Sequence, residues 1–172
     1  MKYKIIMEGE YLIALSDSKA TKLRAFSAKE KAIIRNLYTF TGADAKTIRD
    51  IELKGYKNLK PTNHDFKAIE YFIKDKLAGT SLKDCTEWVH FGLTSEDASN
   101  IAYALMLGES MRDVYVPAAE EVISKIGKLA KESARIPMLA RTHGQPASPT
   151  TFGKEFKIFE ARLRRQLAQI KD

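Results

Sequence analysis

The longest uninterrupted helical pattern in the chain is TSEDASNIAYALMLGESMRDVYVPAAEEVISKIGKLAKESA, from Thr94 to Ala134. Ile101, Leu105, Met111, Tyr115, Val122, Ile126 and Leu129 supply an apolar stripe at helical spacing, and Thr94 or Ser95 caps its start. At 1.5 Å per residue, roughly 40 residues span about 60 Å. A small globule cannot bury such a rod by itself, so the pattern predicts a bundle or coiled coil. Pro117 is expected to kink the rod, because proline lacks the N–H and crowds the preceding turn.

Downstream, Ile136–Pro149 holds three prolines and reads as an extended loop. A last helix starts near Thr150. Phe152, Phe156, Phe159, Leu163, Leu167 and Ile170 repeat along it in steps of three and four, the seam of a bundle helix. The pattern carries no stop signal at Lys171-Asp172. Two long helices leave a bundle half built, so a fragment or a chain that needs partner subunits is expected.

Upstream, Ser27-Ala28-Lys29-Glu30 has the form of a capping box. Ile33, Ile34, Leu37 and Tyr38 follow it, with Gly42 as the expected stop. A weaker helix is expected from Ala45 to about Lys54, then a loop over residues 55–61. A further helix from Asn63 to Leu77 carries Phe66, Ile69, Phe72, Ile73 and Leu77 and ends at Gly79. Another starts near Ser81, buries Leu82, Cys85, Trp88 and Val89, and closes at Gly92. The fold class is therefore all-α: a small helical N-terminal domain over residues 1–83, then the opening long helices of a bundle over 84–172.

Composition narrows the function classes. Hydrophobic residues make up 44% and charged residues 30%, an ordinary balance for a soluble globular protein. Glu8 and Glu10 cut the only early apolar run too short for a secretion signal, and no window approaches a membrane span. The single cysteine, Cys85, cannot form a disulfide within the chain, which fits a reducing, cytoplasmic setting. The net charge of +7 admits nucleic acid, an anionic surface or a polyanionic small molecule as partner. The lysines are scattered singly rather than in blocks, which points away from nucleic acid. No His/Cys cluster has metal spacing, so neither metal nor organic cofactor is implied.

Three polar clusters lie at helix boundaries. Thr62-Asn63-His64-Asp65 and His90–Asp97 each precede a helix, where free N–H groups and the dipole favour anions, although both also read as plain caps. The third, Arg141-Thr142-His143-Gly144-Gln145-Pro146, is polar between apolar helices. His143 there can exchange a proton near neutral pH, while Thr142 and Gln145 can orient a ligand; a connecting turn is the alternative.

These clusters resemble a known family. T-S-x-D before a long helix, followed by T-H-G-Q-P-A, is similar to the fumarase/aspartase superfamily. T-N-H-D-F-K-A-I-E-Y-F-I-K at Thr62–Lys74 and R-T-H-G-Q-P-A-S-P-T-T-F-G-K-E at Arg141–Glu155 resemble its adenylosuccinate lyase branch. The match runs from about Asn58 to the end. The resemblance implies a helical bundle, a homotetramer whose sites combine three subunits, no cofactor, and β-elimination of fumarate from a succinylated purine nucleotide. It also implies that Asn63, His64 and Asp65 contact the nucleotide, that Thr94 and Ser95 contact the succinyl group, that Thr142 and His143 form the pair in which His143 is the proton donor, and that His90 lies near the site; Gln145 stays a substrate-binding candidate from its residue type. Two family segments have no counterpart: an arginine–tyrosine pair near the N-terminus, and a later serine-rich loop carrying the proposed base. The chain alone is accordingly expected to be inactive. A sister lyase such as argininosuccinate lyase and a non-catalytic helical assembly module are the alternatives.

Overall fold

The structure, a computed structural model, describes all 172 residues. Helices dominate: α1 (Lys2–Asp17), α2 (Ala28–Asn36), α3 (Gly42–Leu53), α4 (Asp65–Ala78), a 3₁₀ helix (Lys83–Trp88), α5 (Ser95–Ser110), α6 (Val116–Glu132) and α7 (Phe152–Lys171). One antiparallel hairpin, β1 (Pro137–Thr142) and β2 (Gln145–Thr151), joins α6 to α7. The chain divides into two compact units, Met1–Met106 and Leu107–Asp172.

The first unit packs α1 to α4 and the 3₁₀ helix around a core that includes Ile5, Leu12, Ile34, Ile51, Ile69 and Leu82, each 0–1% exposed. The expected capping box opens α2, and a second, not expected, opens α3. Ser27 Oγ accepts from the Glu30 N–H while the Glu30 carboxylate accepts from the Ser27 N–H; Thr41 and Asp44 repeat the arrangement at α3. Gly42, expected to end a helix, instead opens α3, because the Thr41–Asp44 box captures it as the first helical residue.

Glu30 does more than cap. Its carboxylate accepts from Arg24 Nη2 at 2.8 Å and from Ser81 Oγ at 3.1 Å, and Arg24 reaches on to Asp84 through Nε at 3.0 Å. This network ties the start of α2 to the 3₁₀ segment. The segment was expected as a longer helix; it stops at Trp88, with Leu82, Cys85 and Val89 buried and Trp88 half-buried.

In the second unit, a π-helical turn over Met111–Tyr115 lies directly upstream of Pro117, where a kink was expected. The missing proline N–H leaves the Asp113 carbonyl without its usual partner, and a widened turn accommodates the crowding. Helices α6 and α7 lie close together: a Cβ on Gly153 would stand 2.4 Å from both Ala130 O and Ala134 Cα. Gly153 N–H donates to Ser133 O at 3.0 Å, which fastens the start of α7 to the end of α6. Glu160 is buried between Lys157 Nζ at 2.7 Å and Arg164 Nε at 2.9 Å. Phe152, Phe159 and Ile170 are exposed, whereas Leu167 is buried.

The Glu30 network sets an expectation in acid. The Arg24 guanidinium, then the Ser27 N–H, hold the Glu30 carboxyl down at about 2 against an ordinary 4.5. A depressed folded-state value gives stability that is present above about pH 4.5 and lost as pH falls toward 2. Glu30→Gln should therefore lower the Tm at neutral pH by roughly 5 °C. The gap from the parent should narrow below about pH 4.5 and close only as pH falls through about 2, and a gap that did not narrow over that range would exclude the carboxylate as its source.

Candidate functional site

The candidate site grows from two helix starts. Thr62 and Asn63 run along the end of α3, their N–H groups donating to Ile51 O at 3.2 Å and Glu52 O at 2.9 Å. Asn63 takes a left-handed backbone, φ 49°. That turn delivers His64 as the N-cap of α4, where Nδ1 accepts from the Lys67 N–H at 3.4 Å. With Nδ1 accepting, the ring proton sits on Nε2, which lies 3.3 Å from Ser95 Oγ. The first and second motifs thus meet, side chain to side chain.

At the start of α5 the two hydroxyls divide the work. Thr94 carries the cap, its N–H and hydroxyl both donating to Asp97 Oδ2, at 2.8 and 2.7 Å. The Thr94 hydroxyl and N–H hold the Asp97 carboxyl below its usual range. Ser95 is left over from capping and turns its hydroxyl toward His64. The sequence alone does not separate these two roles.

His90 joins them by another route. Its backbone is also left-handed, φ 62°, and Gly92 follows at φ 71°. Its ring stacks on Phe66 of α4 with centroids 5.7 Å apart, and its Nδ1 lies 2.6 Å from Glu8 Oε1 of α1. Tyr11, one turn further along α1, donates its hydroxyl to Phe91 O at 3.0 Å. Thr62, His64, Phe66, Lys67, His90 and Ser95, with Glu70, line one open cleft of about 270 Å³. Asp65 lies at its edge, paired with Lys4, whose ammonium also sits 4.0 Å over the Phe66 ring.

The third motif belongs to the second unit and is a hairpin rather than the expected loop. Thr142 pairs with Gln145 across a two-residue turn, with His143 at φ 50° and Gly144 at φ 75°. Positive φ at both central residues is the type I′ turn, whose twist matches that of paired strands. Pro137 opens β1, and Pro146 and Pro149 lie in a two-stranded ribbon, where every strand is an edge and a missing N–H is tolerated. A bulge sets Ala140 opposite two residues, Ala147 and Ser148. His143 is exposed at the tip, flanked by Thr142 and Gln145.

Only four non-glycine residues in the chain have positive φ, and three of them are Asn63, His90 and His143, one in each motif. Such positions cost of order 1–3 kcal/mol, less for Asn and His than for β-branched residues. Their concentration in the three motifs argues that these turns are held for what they present. Glu8 was not among the sequence-derived candidates, although a signal existed: Ile5, Glu8 and Leu12 fall on one helical face, and a carboxylate between two core positions calls for a partner. No group of three or more His, Cys, Asp and Glu side chains stands together as a metal site.

The family model described as Lyase matches residues 3–172. The chain belongs to the lyase family. It is 39% identical to the adenylosuccinate lyase of Haemophilus influenzae, covering 100% of this chain and 37% of that protein. Against the adenylosuccinate lyases of Vibrio cholerae and Dictyostelium discoideum it is 42% identical, covering 99% and 97% of this chain and 36% of each relative. The chain thus spans little more than a third of the length of these relatives. Among solved structures it is similar to a fumarate lyase from Mesorhizobium sp. BNC1, with a TM-score of 0.68 at 22% identity over 98% of this chain and 36% of that one. A 3-carboxy-cis,cis-muconate lactonizing enzyme from Pseudomonas putida gives 0.67 at 20%, over 99% and 36%. At these identities the structural likeness shows the fold of this lyase chain and nothing finer.

The division of labour at α5 is testable by thermal or urea unfolding. Thr94→Ala should cost about 1 kcal/mol through loss of the cap. Ser95→Ala should stay within about 0.5 kcal/mol of the parent. Equal losses would mean that Ser95 also serves the helix.

Proposed function

We propose that this chain carries part of the active site of an adenylosuccinate lyase, which releases fumarate from adenylosuccinate and from the analogous succinyl-carboxamide ribotide in purine nucleotide synthesis. The observation that carries the reading is the meeting of His64 Nε2 and Ser95 Oγ at 3.3 Å, which joins two motifs at two helix starts. Relatives that match nearly all of this chain bear the adenylosuccinate lyase name, which favours this branch over argininosuccinate lyase.

In the reaction a base removes a proton from the carbon beside a carboxylate. The new carbon–carbon double bond forms as the carbon–nitrogen bond breaks, and its electron pair goes to the purine-side nitrogen. That nitrogen needs a proton, and His143 is the donor. Thr142 and Gln145 orient the group that receives it. Ser95 and Thr94, at the N-terminus of α5, hold the succinyl carboxylate, where N–H groups and the helix dipole favour negative charge. Asn63, His64 and Asp65 meet the nucleotide, and His90 borders them. The base is outside the residues assigned here.

The exposed apolar side chains of α5 to α7, among them Ile101, Leu107, Val122 and Phe159, support further burial against neighbouring copies, in the manner of a cytoplasmic homotetramer. No helix is long and apolar enough to cross a membrane.

His143→Asn gives a clean test, because asparagine is at home in the left-handed position of a type I′ turn and cannot donate an acidic proton. In the chain completed to the length of its relatives, the substitution should cut fumarate release by at least about a hundredfold with an unchanged Tm. Near-parent turnover would remove His143 from the mechanism.

A further inference from the structure

Glu8 is the most deeply buried charged residue of the chain, 1% exposed, and one of its oxygens, Oε2, has no hydrogen-bond partner. Burying a carboxylate in that way is costly unless its one partner is held for a purpose. The partner is His90, whose Nδ1 approaches Oε1 to 2.6 Å. The His90 side chain is 17% exposed, lies on the cleft wall and rests on Phe66. Its left-handed backbone is fastened to α1 a second time through Tyr11 and Phe91 O. Ring, backbone and neighbouring loop are therefore all fixed from the same helix.

We propose that Glu8 is a positioning residue: by accepting the Nδ1–H of His90 it fixes the ring tautomer, so that Nε2 is presented to the cleft as a hydrogen-bond acceptor. A neutral imidazole has one donor and one acceptor nitrogen, so assigning one assigns the other. Oε1 accepts from Nδ1–H whether the carboxyl is ionised or carries its proton on Oε2; only a proton on Oε1 reverses the order. The length of the contact suits a charge-assisted bond. Burial pushes the Glu8 carboxyl above its usual range, the hydrogen bond and charge of His90 pull it down, and Glu70 adds a smaller upward push. Glu70 is itself matched by Lys67 and Lys74. With Nδ1–H given to Glu8, Nε2 offers the cleft that Ser95 and His64 also line an acceptor for a hydroxyl, amine or protonated phosphate of the ligand. That last step rests on the lyase reading; the tautomer assignment does not.

The test is a long-range ¹H–¹⁵N correlation of the histidine rings in the 172-residue chain, with His90 assigned through His90→Gln. Above about pH 8, where histidine is ordinarily neutral, His90 should show the Nδ1–H pattern. Glu8→Met fills similar volume in α1 without a hydrogen-bonding group. There the Nε2–H form should rise from under roughly a tenth to more than half of the neutral ring. An Nε2–H ring in the parent overturns the proposal, and needs no variant to fold. An Nδ1–H ring unchanged in a folded Glu8→Met chain overturns it as well, because another group then sets the tautomer. Neither outcome involves adenylosuccinate, so each leaves the lyase reading where it stands.

Discussion

The candidate cleft depends on one small apolar junction. Met7 of α1, Phe66 of α4 and Ala98 of α5 are buried against each other, with Tyr11 and Leu93 packed at the side. Phe66 is the second residue of α4 and Ala98 the fourth of α5, so fixing them fixes where the two helices begin. His64 and Ser95 precede these anchors and are brought within 3.3 Å as a result. The same phenyl ring supports His90 on one contact and the Lys4 ammonium on another. Truncating Phe66 would remove the support beneath His90 and Lys4 at once, beyond the few kcal/mol that a buried aromatic contributes to stability. The geometry of the candidate cleft is here a consequence of packing one layer down.

Much of this was legible in the sequence, and the reasons are local. Capping boxes announce themselves because serine or threonine and a carboxylate three residues on complete each other, as at Ser27–Glu30. The α4, α5–α6 and α7 patterns were legible because their apolar faces repeat at helical spacing over many turns. The His64–Ser95 and His143 motifs were identifiable from residue type and order. Their partition was not, since whether Thr94 or Ser95 carries the cap depends on which hydroxyl meets Asp97.

The parts that escaped share a different cause: they depend on long-range partners. Helix α1 leaves no clear periodic signal because Glu8 and Glu10 interrupt its apolar pattern, yet Glu8 is buried on a histidine 82 residues away and Glu10 accepts from Arg35 of α2 at 2.8 Å. The hairpin was read as a loop because Pro137, Pro146 and Pro149 argue against strands, a rule that binds central strands and not a two-stranded ribbon. Its turn signal was present in His143-Gly144, but histidine is a less familiar first residue of a type I′ turn than asparagine. Gly42 misled in the opposite direction, since a glycine beside a threonine cap starts a helix as readily as it ends one.

Residues of the first two motifs are proposed to form one ligand-binding cleft rather than two unrelated helix caps. Amide chemical-shift mapping of the chain titrated with adenylosuccinate addresses it directly. Shifts should concentrate at residues 62–67 and 90–97 and should saturate together with a single apparent Kd. Shifts confined to one of the two segments, or scattered over the lysine-bearing surface and abolished by moderate salt, would contradict it.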